Sequence, residues 1–96
     1  MEQSWQDSVW INTYKDTYTY DSNNNVIESS YQPWEGAIWT TKYKNIYTYD
    51  SNNNLIERKW QSWEGAVLVY MSLHTYVYDE NNYLIEHIRQ KWDNPI

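Results

Sequence analysis

The chain has no cysteine, no phenylalanine, only two glycines and two prolines, and seven Lys+Arg against 13 Asp+Glu. Each shortage excludes something. Without cysteine there is no disulfide framework and no thiolate metal site. Gly36 and Gly65 stand far apart and leave nothing for a phosphate-cradling loop, which argues against nucleotide binding. A formal charge of −6 opposes binding to nucleic acid or to an anionic membrane, both of which need clustered Lys and Arg. No apolar run is long enough to span a bilayer. The opening residues MEQSWQDSVW lack the basic and apolar regions of a signal peptide. There is no Ser-His-Asp or Cys-His arrangement. The expectation is therefore a chain that is not an enzyme, uses no cofactor or metal, binds no nucleic acid and inserts into no membrane.

What is abundant is aromatic and periodic. Seven Trp and 11 Tyr all carry an N–H or O–H, which suits apolar surfaces that remain wet. Tyr18–Glu28, Tyr47–Glu57 and Tyr76–Glu86 are copies of one motif, with Asp21, Asp50 and Asp79 spaced by 29 residues. Trp5, Trp34, Trp63 and Trp92 keep the same spacing, as do Gln32, Gln61 and Gln90. Residues 1–96 thus read as a single repeat domain, with units of about 5–33, 34–62 and 63–91.

Residues 9–20, 26–34, 37–49, 55–63, 66–78 and 84–92 are rich in Tyr, Trp, Thr, Ile and Val and read as strands, with 2–6 as a short first one. Asp-Ser-Asn-Asn-Asn suits a type I turn followed by a left-handed residue, and Trp-Glu-Gly-Ala suits a tight hairpin with Gly36 and Gly65 at positive φ. Short connections predict an all-β fold, an antiparallel up-and-down meander of six to seven strands, open and twisted or curled toward a barrel.

The simplest register pairs Tyr20 with Val26 and Tyr18 with Glu28, and, across a Glu35–Gly36 loop, Gln32 with Trp39. It gathers six Trp and nine Tyr on one face. That face, with Trp10, Trp34, Trp39, Trp63, Tyr43, Tyr47, Tyr76, Glu28, Glu57, Glu86, Gln32 and Gln61, is the candidate binding surface. Sugar C–H faces stack on such rings while carboxylates and amides take the hydroxyls. The competing reading is that the same face is the core of a curled sheet. Val67, Val69, Met71, Leu73 and Val77 fall on the opposite face and call for cover, so a homo-oligomer is expected.

Three other constellations are weaker. Repeated Glu residues in equivalent settings do not make the unlike acid and base of a glycosidase. Asp21-Ser-Asn23-Asn24-Asn25 matches only the first half of a calcium loop and is explained by turn chemistry. His74 and His87 fall on opposite faces in this register, so no metal pair is expected.

The motif Tyr-x-Tyr-Asp-x-Asn resembles the tyrosine-aspartate (YD) repeats of Rhs-type and teneurin-type shell proteins, with Asn24, Asn53 and Asn82 where their Gly would stand. Combined with the Trp-Glu-Gly hairpins, it is similar to the tandem repeats of secreted bacterial surface proteins. That resemblance implies a place at the cell surface or outside the cell, and a role in adhesion, carbohydrate contact or spacing. The function expected is a non-catalytic structural or adhesive repeat module. A carbohydrate-binding module is the alternative and a glycoside hydrolase a distant third.

Overall fold

The computed structural model describes residues 10–93, so Trp5 and the expected first strand at 2–6 lie outside the described residues. Seven antiparallel strands follow one another: β1 (Tyr14–Tyr20), β2 (Val26–Glu35), β3 (Ile38–Trp39), β4 (Tyr43–Tyr49), β5 (Leu55–Glu64), β6 (Val67–Tyr78) and β7 (Leu84–Asp93). They form one open sheet in the order β1-β2-β4-β5-β6-β7, with β3 paired to the end of β2. The all-β meander is as expected. The expected 37–49 strand is interrupted, because residues 40–42 leave the ladder between β3 and β4.

The turns form as their residues dictate. The Asp21 carboxylate accepts the backbone N–H groups of Asn23 and Asn25 at 2.8 and 2.9 Å, and Asp50 does the same for Asn52 and Asn54. These bonds are what a calcium ion would have to displace. Asn24, Asn53 and Asn82 take the left-handed position at φ 66, 64 and 68. Gly36 (φ 58) and Gly65 (φ 61) open the Trp-Glu-Gly hairpins.

The side chains of the Asn turns also tie one repeat to the next. Asn53 Oδ1 accepts from the amides of Asn23 (3.3 Å) and Asn25 (3.1 Å), and Asn82 Oδ1 accepts from those of Asn52 and Asn54 at 3.3 and 2.9 Å. Beside this ladder the Tyr49 hydroxyl donates to the Val26 carbonyl at 2.9 Å, and Tyr78 donates to that of Leu55 at 2.7 Å. Burial, then Tyr47 and Asp21, push the Tyr49 phenol above its usual value of 10.0.

The register differs from the simplest one in a way that decides the faces. Tyr20 pairs with Val26 as expected, but Thr19 then pairs with Glu28, so Ile27 is an extra residue and Tyr18 faces Ser29. Ile56 and Ile85 interrupt the next two ladders in the same way. The Gly hairpins differ too. The loop is Gly36–Ala37, closed by Glu35 and Ile38, and beyond it Tyr31 pairs with Tyr43. Both offsets are odd. A shift of one residue reverses a strand's faces, so β2, β5 and β7 present the opposite sides from those expected, while β1, β4 and β6 do not.

The sheet is one layer. The Cα radius of gyration is 17.9 Å and the extents are 62 × 37 × 18 Å, against about 13 Å for a compact chain of 100 residues. No hydrophobic side chain among the described residues is buried, and Ser72 is the one buried residue among them, at 4% exposure. The aromatic face is therefore not the core of a curled sheet. Its rings are half-covered by one another.

Candidate functional site: a row of aromatic rings

The corrected register divides the predicted site residues between two faces. Tyr43, Tyr47 and Tyr76 keep company with Tyr14 and Tyr18 on what we call the tyrosine face. Trp34, Trp39 and Trp63, with Glu28, Glu57, Glu86, Gln32 and Gln61, lie on the other. There Glu28 stands between Thr19 and Ile46, Glu57 between Thr48 and Thr75, and Glu86 beside Val77. Gln32 donates to Thr41 Oγ1 at 3.0 Å, Trp34 meets Trp39 edge-on at 4.8 Å, and the Lys15 ammonium sits 4.8 Å over the Trp39 ring. Trp10 lies outside the strands and is 79% exposed. The Glu and Gln ladder therefore keeps Trp34, Trp39 and Trp63 beside it but is parted from the predicted tyrosines. Of the apolar residues expected opposite the tyrosines, Met71, Leu73 and Val77 are there by alternation.

What forms instead is a continuous row of rings. Tyr14, Tyr31, Tyr43, Trp60 and Tyr70 cross the tyrosine face perpendicular to the strands. Successive centroids are 5.6, 5.8, 5.4 and 5.6 Å apart. These lie within the range at which aromatic pairs attract beyond simple area burial. Tyr43 and Trp60 stack at 21°, and Trp60 meets Tyr70 edge-on at 65°. Tyr31, Lys42, Tyr43, Asn45 and Trp60 line a shallow hollow on this row. The simplest register leaves Tyr31 and Trp60 off the aromatic face. The signal was available: they are themselves 29 residues apart, and two adjacent branched residues (Val26-Ile27, Leu55-Ile56, Leu84-Ile85) follow each turn, where an alternating strand would place only one inward.

At the β6–β7 end the row reaches a group of cationic and titratable side chains. His74 and His87, expected on opposite faces, meet on the same one. Their ring nitrogens are 2.8 Å apart and their rings stack at 5.1 Å, with Tyr76 stacked on His87 at 4.7 Å. Burial first, then His87, Arg58 and Arg89, hold the His74 pKa below its usual 6.5. No group of three or more His, Cys, Asp or Glu among the described residues could hold a metal ion.

The titrations on the acid side have a common sign. The bonds from Asn25 and Asn54 hold the Asp21 and Asp50 pKa values below 3.8, so their contribution is present above 3.8 and lost as pH falls through the folded values. Neutral His74 is favoured in the folded sheet, so its contribution is complete above 6.5 and lost below. The melting temperature is expected to stay level between neutral pH and 10.0, to fall above 10.0 as the folded sheet resists ionising Tyr49, to fall as pH drops below 6.5, and to fall again below 3.8. A melting temperature independent of pH down to the carboxylate range would contradict these assignments.

No family model matches the chain, and no curated protein matches it. Among solved structures it is similar to a DUF3836 family protein from Bacteroides vulgatus ATCC 8482, at 18% identity over 82% of this chain and 99% of that chain, with a TM-score of 0.46. It is also similar to a DUF3836 family protein from Parabacteroides distasonis ATCC 8503, at 13% identity over 85% of this chain and 91% of that chain, with a TM-score of 0.46.

Proposed function

We propose that the chain is a non-catalytic β-repeat module with a structural or adhesive role, acting through the open faces of its sheet. The observation that carries this reading is the single layer, without a buried hydrophobic core among the described residues. Such a sheet leaves Ile38 at 61%, Leu84 at 53% and Ile85 at 63% exposure, and surfaces of this kind mark sites of association. Its outer strands β1 and β7 each keep one edge without a strand among the described residues. A homo-oligomer is part of the proposal. A place at the cell surface or outside the cell follows from the resemblance to YD-type surface repeats and belongs to the same proposal.

The ring row supports a second reading, a carbohydrate-binding module. Five rings in line give sugar C–H faces successive platforms, and the hollow beside Tyr43 and Trp60 adds the Lys42 and Asn45 side chains as polar partners. Light scattering across a concentration series, with tryptophan fluorescence under a glycan panel, tests both readings. Association with rising concentration supports the first and a sugar-dependent emission shift supports the second. A strictly monomeric species whose emission no glycan moves would contradict both.

A further inference from the structure

Three residues that break the repeat converge on one spot. Arg58 stands where the first unit has Ser29. His74 stands where earlier units have Asp16 and Asn45. Arg89 stands where they have Tyr31 and Trp60. In the sheet these three lie directly opposite one another, Arg58 against His74 and His74 against Arg89. Two guanidinium groups thus flank one imidazole from the strands on either side. A chain with only seven Lys+Arg has placed two of them here.

Together with Trp60, Tyr70 and Ser72 they line a hollow that contains no carboxylate. Its donors are underused. Arg58 Nε is sealed from solvent with no hydrogen-bond partner, and its Nη2 reaches only Asn45 Oδ1, at 3.4 Å. Arg89 Nη2 donates to the Tyr70 hydroxyl at 3.1 Å. The buried Ser72 hydroxyl lies 3.2 Å from His74 Nε2. Buried donors are ordinarily satisfied, and one that is not calls for a missing acceptor. Guanidinium groups take up carboxylates and sulfates through paired N–H···O bonds. The ring row ends at this hollow, with Trp60 belonging to both.

We propose that this hollow binds the acidic group, a carboxylate or sulfate ester, of an anionic saccharide whose sugar ring lies on Trp60. The inference rests on the carbohydrate-binding reading and specifies its ligand class. His74 is flanked by Arg58 on β5, by His87 and Arg89 on β7, and by Ser72 and Tyr76 on its own strand. An anion among these groups offsets the charges that disfavour its protonation, so binding tightens as pH falls below 6.5.

The test uses polygalacturonate and dextran sulfate as the two acidic probes and neutral dextran as the control, titrated calorimetrically at low salt, above and below pH 6.5. The key variant exchanges the three residues for those that other repeats carry at the same places: Arg58→Ser, His74→Asn and Arg89→Tyr. These residues are compatible with the fold. A second variant, Lys44→Ser with Lys59→Ser, removes the same number of lysine or arginine charges from the opposite face. We expect at least one acidic probe to bind, at least tenfold loss in the first variant and little change in the second. Which probe binds distinguishes carboxylate from sulfate. Equal losses in both variants, an unchanged first variant, or no binding of either acidic probe would overturn the proposal. If dextran then still shifts tryptophan emission, the ring row survives as a neutral-sugar platform without the acid site. If nothing binds, the carbohydrate reading fails with it.

Discussion

Replacing Trp60 with alanine is expected to destabilise the sheet by about 2–3 kcal/mol, somewhat below the loss for a fully buried indole. For a chain of this size that lowers the melting temperature by roughly 10 °C or more. Trp60 is the joint of the ring row, stacked on Tyr43 at 5.4 Å and edge-on to Tyr70 at 5.6 Å, in a sheet with no deeper core to share the loss. The conservative counterpart is Trp60→Tyr. Tyr31 occupies the equivalent place one repeat earlier and also packs between two tyrosines, Tyr14 and Tyr43, although the place of Tyr43 is Ser72 in the next unit and Tyr70 reaches Trp60 from two residues away. Trp60→Tyr should therefore cost less than about 1 kcal/mol. Thermal or urea unfolding of the two variants checks this. Similar losses in both would mean that the row does not stabilise the sheet.

The second large effect lies in the turns. Asn53→Val is expected to cost about 3 kcal/mol. A β-branched residue is strained by roughly 1–2 kcal/mol at the left-handed position, and the bonds that Asn53 Oδ1 accepts from Asn23 and Asn25 are lost as well. Asn53→Gly removes the bonds without the strain and should cost about 1 kcal/mol. Asn24 shares the backbone conformation (φ 66), but among the described residues the bonds between turns are accepted by Asn53 and Asn82 and not by Asn24. Asn24→Gly should therefore change stability by less than about 0.5 kcal/mol. The difference between the two glycine variants measures the ladder that joins one repeat to the next. Equal effects in both would show that the ladder contributes nothing.

These variants also mark what could be read from the sequence and what could not. The 29-residue period, the meander and the chemistry of both turns are local properties. Asp and Asn at fixed offsets announce a turn, and the structure has Asp21 and Asp50 accepting the backbone bonds that this chemistry implies. The faces are not local in that sense, because they depend on counting residues across a ladder. Ile27, Ile56 and Ile85 look like ordinary strand residues, yet each is the extra residue that interrupts pairing. The Gly36–Ala37 loop lies one residue further on than the tightest reading of the hairpin placed it, an even step in the pairing. The irregularity beyond it (residues 40–42, and Val69 in the next unit) makes the total odd. Two odd offsets per repeat moved Trp34, Trp39, Trp63 and the Glu ladder to the far side. They brought Tyr31, Trp60, Arg58 and Arg89 to the near side, where the candidate site lies. His74 was already correctly oriented, and the flip of β7 brought His87 to it. The cationic hollow was hidden for a further reason. It is built from departures from the repeat, which a search for what recurs passes over.

The central claim is that the rings sort onto two faces, with Trp60 among the tyrosines and Trp34 and Trp63 opposite. Nuclear Overhauser contacts between aromatic side chains in solution test it most directly. Cross-peaks are predicted from the Trp60 indole to the rings of Tyr43 and Tyr70, and from Tyr31 to Tyr14 and Tyr43. Cross-peaks from Trp34 or Trp63 to Tyr43 and Tyr70, with none from Trp60 to either, would contradict the register and the site built on it.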